Sequence, residues 1–109
     1  ICIYQPHQYS RTKLLFNQII RSFQDCDELI LAPVYEVIGR EEKKEVGSAE
    51  LAKKISQFHP KVQYLKNFQT IIKYVLKNLE ENVIVITMGA GNIYEVSLKL
   101  KQKLSKNGI

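Results

Sequence analysis

The chain opens on Ile1-Cys-Ile-Tyr-Gln-Pro-His-Gln-Tyr-Ser-Arg11, and the reading of this stretch decides the fold. Ile1 to Tyr4 is apolar and β-branched at two positions, which reads as a buried strand. Pro6 stops it, because proline has no N–H for a ladder and holds Gln5 extended. His7, Tyr9, Ser10 and Arg11 follow in a short polar loop, and a helical pattern begins at once. A strand, a tight loop and a helix N-terminus together make the place where open α/β sheets bind ligands. Such a helix end carries partial positive charge and free N–H groups, so it favours an anion. Arg11 in the first turn opposes that dipole. A cation there makes more sense if an anionic ligand joins the two.

Working outward, helix one is expected from about Arg11 to Asp25, with Ser10 as N-cap and Phe16, Ile19, Ile20 and Phe23 as a core-facing stripe. Asp27 to Val34 reads as the second strand, ending near Pro33. Tyr35 to Gly47 is a charged, exposed loop that includes Gly39, Arg40, Glu41, Glu42, Lys43 and Lys44. Ser48 is then expected to cap a helix with Leu51, Ile55 and Phe58 on its buried face, ending at Pro60. Val62 to Leu65 is a short strand. Asn67 caps the clearest helix of the chain, where Phe68, Ile71, Ile72, Val75, Leu76 and Leu79 recur at threes and fours. Val83 to Thr87 is a continuous β-branched run, expected as a central strand covered on both faces. Gly89-Ala-Gly91 turns the chain, and Ile93 to about Leu104 forms the last helix.

Strands alternating with helices imply an α/β fold, a small Rossmann-like three-layer sandwich with a mostly parallel sheet. In that architecture the loops after the strands share one edge, which gathers Gln5 to Arg11, Tyr35 to Gly47 and Gly89 to Asn92.

At 109 residues the chain is read as a single domain, residues 1–109, with room for one core. No run of 18 apolar residues is present, so no transmembrane helix is expected. No signal peptide is visible, and an opening in mid-strand suggests a domain cut from a longer protein. Cys2 and Cys26 make neither a CxxC pair nor a disulfide framework, which fits a reduced, cytoplasmic compartment. The net charge of +5 comes largely from lysines such as Lys43, Lys44, Lys53, Lys54, Lys99, Lys101, Lys103 and Lys106. These read as solvated helix and loop faces rather than a nucleic-acid site, and no nucleic-acid-binding motif accompanies them.

Arg11 offers a rigid fork of donors suited to carboxylate or phosphate, and His7 a further polar contact. Both could face one small anion; alternatively Arg11 pairs with a nearby acid and His7 caps a loop. Gln8 also lies in this loop, and Tyr4 and Tyr9 flank it, where aromatics more often pack than act. Gly89-Ala-Gly91 lacks the third glycine and the distant acid of a dinucleotide fingerprint, so close helix–strand packing is preferred for it. The acids Glu41, Glu42, Glu45, Glu80 and Glu81 read as surface, His59 as exposed, and no metal cluster is expected. On residues alone the alternative is a stand-alone Rossmann-like module binding a small anion or nucleotide without catalysis. A receiver would need acids after the first strand, and a flavodoxin a Ser/Thr-rich loop there; Gln5-Pro6-His7 is neither.

Tyr4-Gln-Pro-His-Gln-Tyr-Ser-Arg-Thr12 resembles the signature of the Mur ligases that join L-alanine to UDP-N-acetylmuramate in peptidoglycan synthesis. Met88-Gly-Ala-Gly-Asn-Ile93 is a second likeness, and Asp25-Cys-Asp-Glu-Leu-Ile-Leu31 and Val34-Tyr35 lie between them in matching order. The resemblance covers nearly the whole chain but only the C-terminal third of such an enzyme, without its ATP-binding GxxGKT loop or its DDYGHHP motif. At Gln8 the family's commonest string has arginine. The resemblance implies that Arg11, aided by His7, grips the carboxylate of L-alanine, with Tyr4, Gln8 and Tyr9 as secondary contacts. It further implies that ATP, Mg²⁺ and most catalytic groups belong to a central domain, and the binding of UDP-N-acetylmuramate's UDP to an N-terminal domain, both outside this chain. No catalytic residue is expected here, nor any nucleic-acid or membrane partner.

Overall fold

The computed structural model describes residues 1–39 and 41–106, so Arg40 of the charged loop lies outside it, as does the side chain of Lys106. The element order is β1 (Cys2–Tyr4), α1 (Tyr9–Leu14), α2 (Phe16–Ile19), β2 (Leu29–Leu31), α3 (Ser48–Ile55), β3 (Val62–Tyr64), α4 (Phe68–Asn78), β4 (Ile86–Met88) and α5 (Tyr94–Lys106). The strands form one parallel sheet in the order β3-β2-β1-β4. Cys2, Ile3 and Tyr4 register with Leu29, Ile30 and Leu31 on one side and with Ile86, Thr87 and Met88 on the other.

Alternation along the strands sends successive side chains to opposite faces. Ile3 and Ile30 meet Ile71 and Val75 of α4 and Val96 and Leu100 of α5 on one face. Cys2, Leu29 and Leu31 meet Ile20, Phe23, Leu51 and Ile55 on the other. These are the three layers expected of a small α/β sandwich. Side chains such as Ile3, Ile30, Leu51 and Ile71 are wholly buried; each contributes about 1.5–3 kcal/mol.

Several local expectations change. Helix one begins at Tyr9, so Ser10 lies inside it and is no cap; Gln8 holds the N-cap position without a side-chain bond. The helix breaks at Leu15, restarts as α2 and is over by Ile20, well short of Asp25. Its core stripe survives the break, since Ile20 and Phe23 are buried and Phe16 and Ile19 pack at their margin. Gly47, not Ser48, is the N-cap of α3, and its N–H donates to Glu50 Oε2 at 2.9 Å. Ser48 instead turns its hydroxyl inward to the Ala32 carbonyl. Leu51 and Ile55 are buried as expected, but Phe58 falls beyond the helix end and is exposed. Asn67 caps α4, accepting from the Thr70 N–H at 2.8 Å.

The largest correction concerns β4. Its β-branched run suggested a central strand, yet β4 stands at the edge of the sheet. Among the described residues only one of its faces is covered, by α5, and Ile84, Ile86 and Met88 are 75%, 51% and 45% exposed. Composition reports affinity for burial; it does not report whether a covering element is present.

Candidate functional site

The chain leaves β1 toward the α1 face of the sheet and leaves β4 toward the α5 face. Loops diverging from adjacent parallel strands open a crevice at their C-terminal ends, where ligands bind in such sheets. Here the crevice floor is closed by Gln5. Its side chain is 4% exposed. Nε2 donates to Asn92 Oδ1 at 2.9 Å, and Oε1 accepts from the Ile93 N–H at 3.2 Å. The Gln5 N–H donates to the Met88 carbonyl at 2.9 Å. One side chain therefore ties the β1–α1 loop to the β4–α5 turn. Sequence reading placed both segments on this edge but gave Gln5 and Asn92 no role; two neutral amides far apart in sequence carry no pairing signal.

The glycines of the β4–α5 turn serve packing. A Cβ on Gly91 would strike the Tyr35 ring and lie 2.9 Å from Gln5 Oε1, and one on Gly89 would lie 3.0 Å from the Gln5 carbonyl oxygen. The turn is filled by protein, which leaves no cradle for phosphate.

The loop above the floor is held to the strand end of β2. His7 forms an isolated parallel bridge with Tyr35. The Gln8 N–H donates to the Tyr35 carbonyl and the Tyr35 N–H to the Pro6 carbonyl, each at 2.8 Å. The His7 and Tyr35 rings stack, with centroids 5.3 Å apart and 23° between planes. His7 Nδ1 is buried without a hydrogen-bond partner among the described residues, a state that is uncommon in folded proteins. His7 is thus placed by stacking, not by capping the loop.

Gln8 has φ 63° and ψ 140°, a backbone conformation that costs a side-chain-bearing residue on the order of 1–3 kcal/mol. Its carbonyl accepts from both the N–H and the hydroxyl of buried Thr12, at 3.1 and 2.8 Å. The residue at this position redirects the chain so that α1 starts directly after it, at Tyr9. Strain of this kind collects at ligand loops.

The end of α1 departs from expectation. A ligand anion was expected there beside Arg11. Instead the Glu42 carboxylate accepts from the Tyr9 N–H at 2.8 Å and from the Ser10 hydroxyl at 2.6 Å. Glu45 adds an ion pair with Lys13, so the β2–α3 loop is strapped along α1. Glu42 and Glu45, read as plain surface acids, are tethers. Arg11 is exposed in the first turn, and among the described residues no hydrogen bond or ion pair engages its guanidinium. The alternative in which Arg11 is neutralised by a nearby acid does not occur among them.

The flanking tyrosines differ. Tyr4 packs on Phe23, ring centroids 5.1 Å apart, and burial pushes its phenol above the ordinary value. Tyr9 is half-buried; desolvation first, then the charges of Glu36, Tyr64 and Glu50, raise its phenol. Both stay protonated donors at neutral pH. Away from this edge, His59 is buried rather than exposed: Nε2 bonds the Cys26 carbonyl at 2.7 Å and Nδ1 accepts from the Lys61 N–H at 3.0 Å. It clasps the start of β2 to the start of β3. Among the described residues no group of three or more His, Cys, Asp or Glu is placed to hold a metal, and no helix is long and apolar enough to cross a membrane.

No family model matches the chain. Individual relatives do. The UDP-N-acetylmuramate–L-alanine ligase of Lachnospira eligens is 43% identical over 95 residues, 86% of this chain and 20% of that protein. The enzyme of that name from Caldanaerobacter subterraneus is 39% identical over 106 residues, 97% of this chain and 23% of its own length. That of Clostridium perfringens is 34% identical over 96 residues, covering 88% and 21%. At 106 of 109 residues, the Caldanaerobacter match necessarily takes in the β1–α1 loop and the sheet, and so the edge just described. By sequence, then, the chain belongs to the UDP-N-acetylmuramate–L-alanine ligase family, as a segment spanning about a fifth of its relatives' length.

Proposed function

We propose that these residues form the C-terminal, amino-acid-binding domain of a cytoplasmic ligase that adds L-alanine to UDP-N-acetylmuramate in peptidoglycan synthesis. The observation that carries the reading is the contrast within one loop. The Gln5 amide, the Gln8 backbone, the Tyr9 N–H and the Ser10 hydroxyl are committed to the fold, whereas the Arg11 guanidinium has no partner among the described residues. A guanidinium suits a carboxylate bidentately, and an amino-acid substrate carries one at fixed distance from its nucleophilic amine. His7, pinned against Tyr35, stands at the same loop and supplies a second polar contact.

The domain's contribution is positional. Holding the alanine amine in line with an activated carboxyl turns an encounter into an intramolecular step, and domain closure completes the arrangement. When bound, ATP and Mg²⁺ supply the activation of the muramoyl carboxyl. In this reading the Gly89–Gly91 turn, packed against Tyr35 and Gln5, has a packing role and not a phosphate-binding one. The activation is assigned to the central domain, and UDP recognition to the N-terminal one.

The test is steady-state kinetics of the full-length enzyme carrying Arg11→Ala. The KM for alanine should rise roughly 10- to 100-fold, the loss of a charge-assisted pair, with the KM for ATP unchanged. An unaltered KM for alanine would remove Arg11 from the site.

A further inference from the structure

Tyr35 is not among the residues proposed to touch substrate, yet three segments of the crevice converge on it: the β1–α1 loop, its own β2–α3 loop and the β4–α5 turn. Its backbone brackets His7. The Tyr35 N–H donates to the carbonyl of the residue before, Pro6, and the Tyr35 carbonyl accepts from the N–H of the residue after, Gln8. With the main chain fixed on both sides, the stack against the Tyr35 ring sets the plane of the imidazole. The Tyr35 ring is itself held from the turn. A Cβ on Gly91 would lie 2.4 Å from Tyr35 Cγ and 2.5 Å from Cδ2, so the ring rests on bare backbone. No hydrogen bond among the described residues engages the Tyr35 hydroxyl. What the site takes from Tyr35 is the flat face.

The two nitrogens of the stacked imidazole are not equivalent. Nδ1 is buried and unpartnered, whereas Nε2 is not among the buried unpaired atoms and no described residue bonds it. Nε2 is therefore the nitrogen left open to a ligand. A proton on Nδ1 would bury an N–H with no acceptor, the rarer kind of unpaired group in folded proteins. The neutral ring then carries its proton on Nε2.

We infer that Tyr35 is a positioning residue of the amino-acid site: its ring holds the His7 imidazole as the Nε2–H tautomer, with that N–H offered to the substrate carboxylate. This rests on the reading given above to His7 and Arg11, and it deepens that reading by fixing what His7 does. An Nε2–H is a donor, so it complements a carboxylate beside the Arg11 guanidinium. It has no lone pair with which to take a proton from the alanine amine, so His7 binds and does not act as a base. The same geometry says why the residue at 35 is aromatic. An aliphatic side chain fills volume but presents no planar face for an imidazole to stack on.

The experiment is a double-mutant cycle in the full-length enzyme, with the KM for alanine as readout and the KM for ATP as control. His7→Ala should raise the KM for alanine roughly tenfold, the loss of a hydrogen bond to a charged group. Tyr35→Leu should raise it nearly as much, and the double variant no further than His7→Ala alone, because the two residues act as one unit. Tyr35→Phe keeps the ring and should recover most of what Tyr35→Leu loses. Effects that multiply in the double variant would overturn the proposal, since Tyr35 would then act apart from His7. So would a Tyr35→Leu enzyme with the parent's KM beside a weakened His7→Ala enzyme, or a Tyr35→Phe enzyme as weak as Tyr35→Leu. A parent-like KM in His7→Ala would instead fault the His7 contact itself, and the positioning role with it. Should Tyr35→Leu fail to fold, nitrogen NMR of the histidine-labelled parent enzyme without substrate still decides. The neutral His7 ring should show its proton on Nε2, and a proton on Nδ1 would overturn the inference.

Discussion

Gln5 and Arg11 sit six positions apart on one loop and live under opposite physics. Gln5 is buried, satisfied at both ends of its amide and packed beneath two glycines. Arg11 is exposed, and no described residue engages it. One ties the two strand ends together; the other is the residue proposed to meet the substrate carboxylate. A polar residue in a ligand loop is therefore not informative by its type; what separates support from contact is whether its hydrogen-bonding capacity is already used.

The contrast can be broken most sharply at its supporting side. Gly91→Ala drives a Cβ into the Tyr35 ring and toward Gln5 Oε1, and overpacking against a ring stacked on His7 and a buried amide should destabilise the fold by about 3 kcal/mol. Thermal unfolding reads this directly; a melting temperature equal to that of the parent would mean the turn has room that the geometry denies. Arg11→Ala should behave in the opposite manner, leaving stability within about 0.5 kcal/mol while weakening alanine use as proposed above. If Arg11→Ala destabilised the protein as Gly91→Ala does, the division between support and contact would be lost. Gln5→Ala should cost about 1–2 kcal/mol by orphaning Asn92 Oδ1 and the Ile93 N–H. Chemical denaturation checks it, and the KM for alanine should move less than it does for Arg11→Ala.

The smallest effect lies at the sheet, away from the loop. Burial, then the proximity of Cys26, pushes the Cys2 thiol from its ordinary 9.0 up to about 11. The folded state then keeps a proton that the unfolded chain releases, so stability is full below pH 9 and declines as pH rises from about 9 to about 11. Denaturation midpoints at pH 8 and pH 10.5 should show the fall, and Cys2→Ala should flatten it. A slope that survives Cys2→Ala would place its origin elsewhere, the phenols of Tyr4 and Tyr9 being the next candidates.

Much of the architecture was legible in one dimension. Four apolar runs separated by amphipathic stretches imply a parallel sheet with helices on both sides, because a 2-residue and a 3.6-residue period cannot be satisfied by the same element. Pro6 and the Gly89–Gly91 turn marked where β1 and β4 end, and Asn67 marked the start of α4. Phe58 and His59 were misjudged in opposite senses. An aromatic just past a helix end has no periodic partner to bury it, whereas the imidazole found two backbone partners to satisfy both of its nitrogens.

What the sequence by itself determined is the set of local preferences: which runs are strands, which faces are apolar, and that Pro6 to Arg11 is a polar loop at a strand end. Those follow from side-chain chemistry acting over a few residues. Only the tertiary structure decided that β4 is an edge strand, that Glu42 holds the start of α1, that Gln5 closes the crevice, and that no described residue pairs with Arg11. Each depends on which distant segment arrives next to it. Proximity in space between residues 5 and 92, or 9 and 42, is set by the order of strands in the sheet, and no local pattern encodes it.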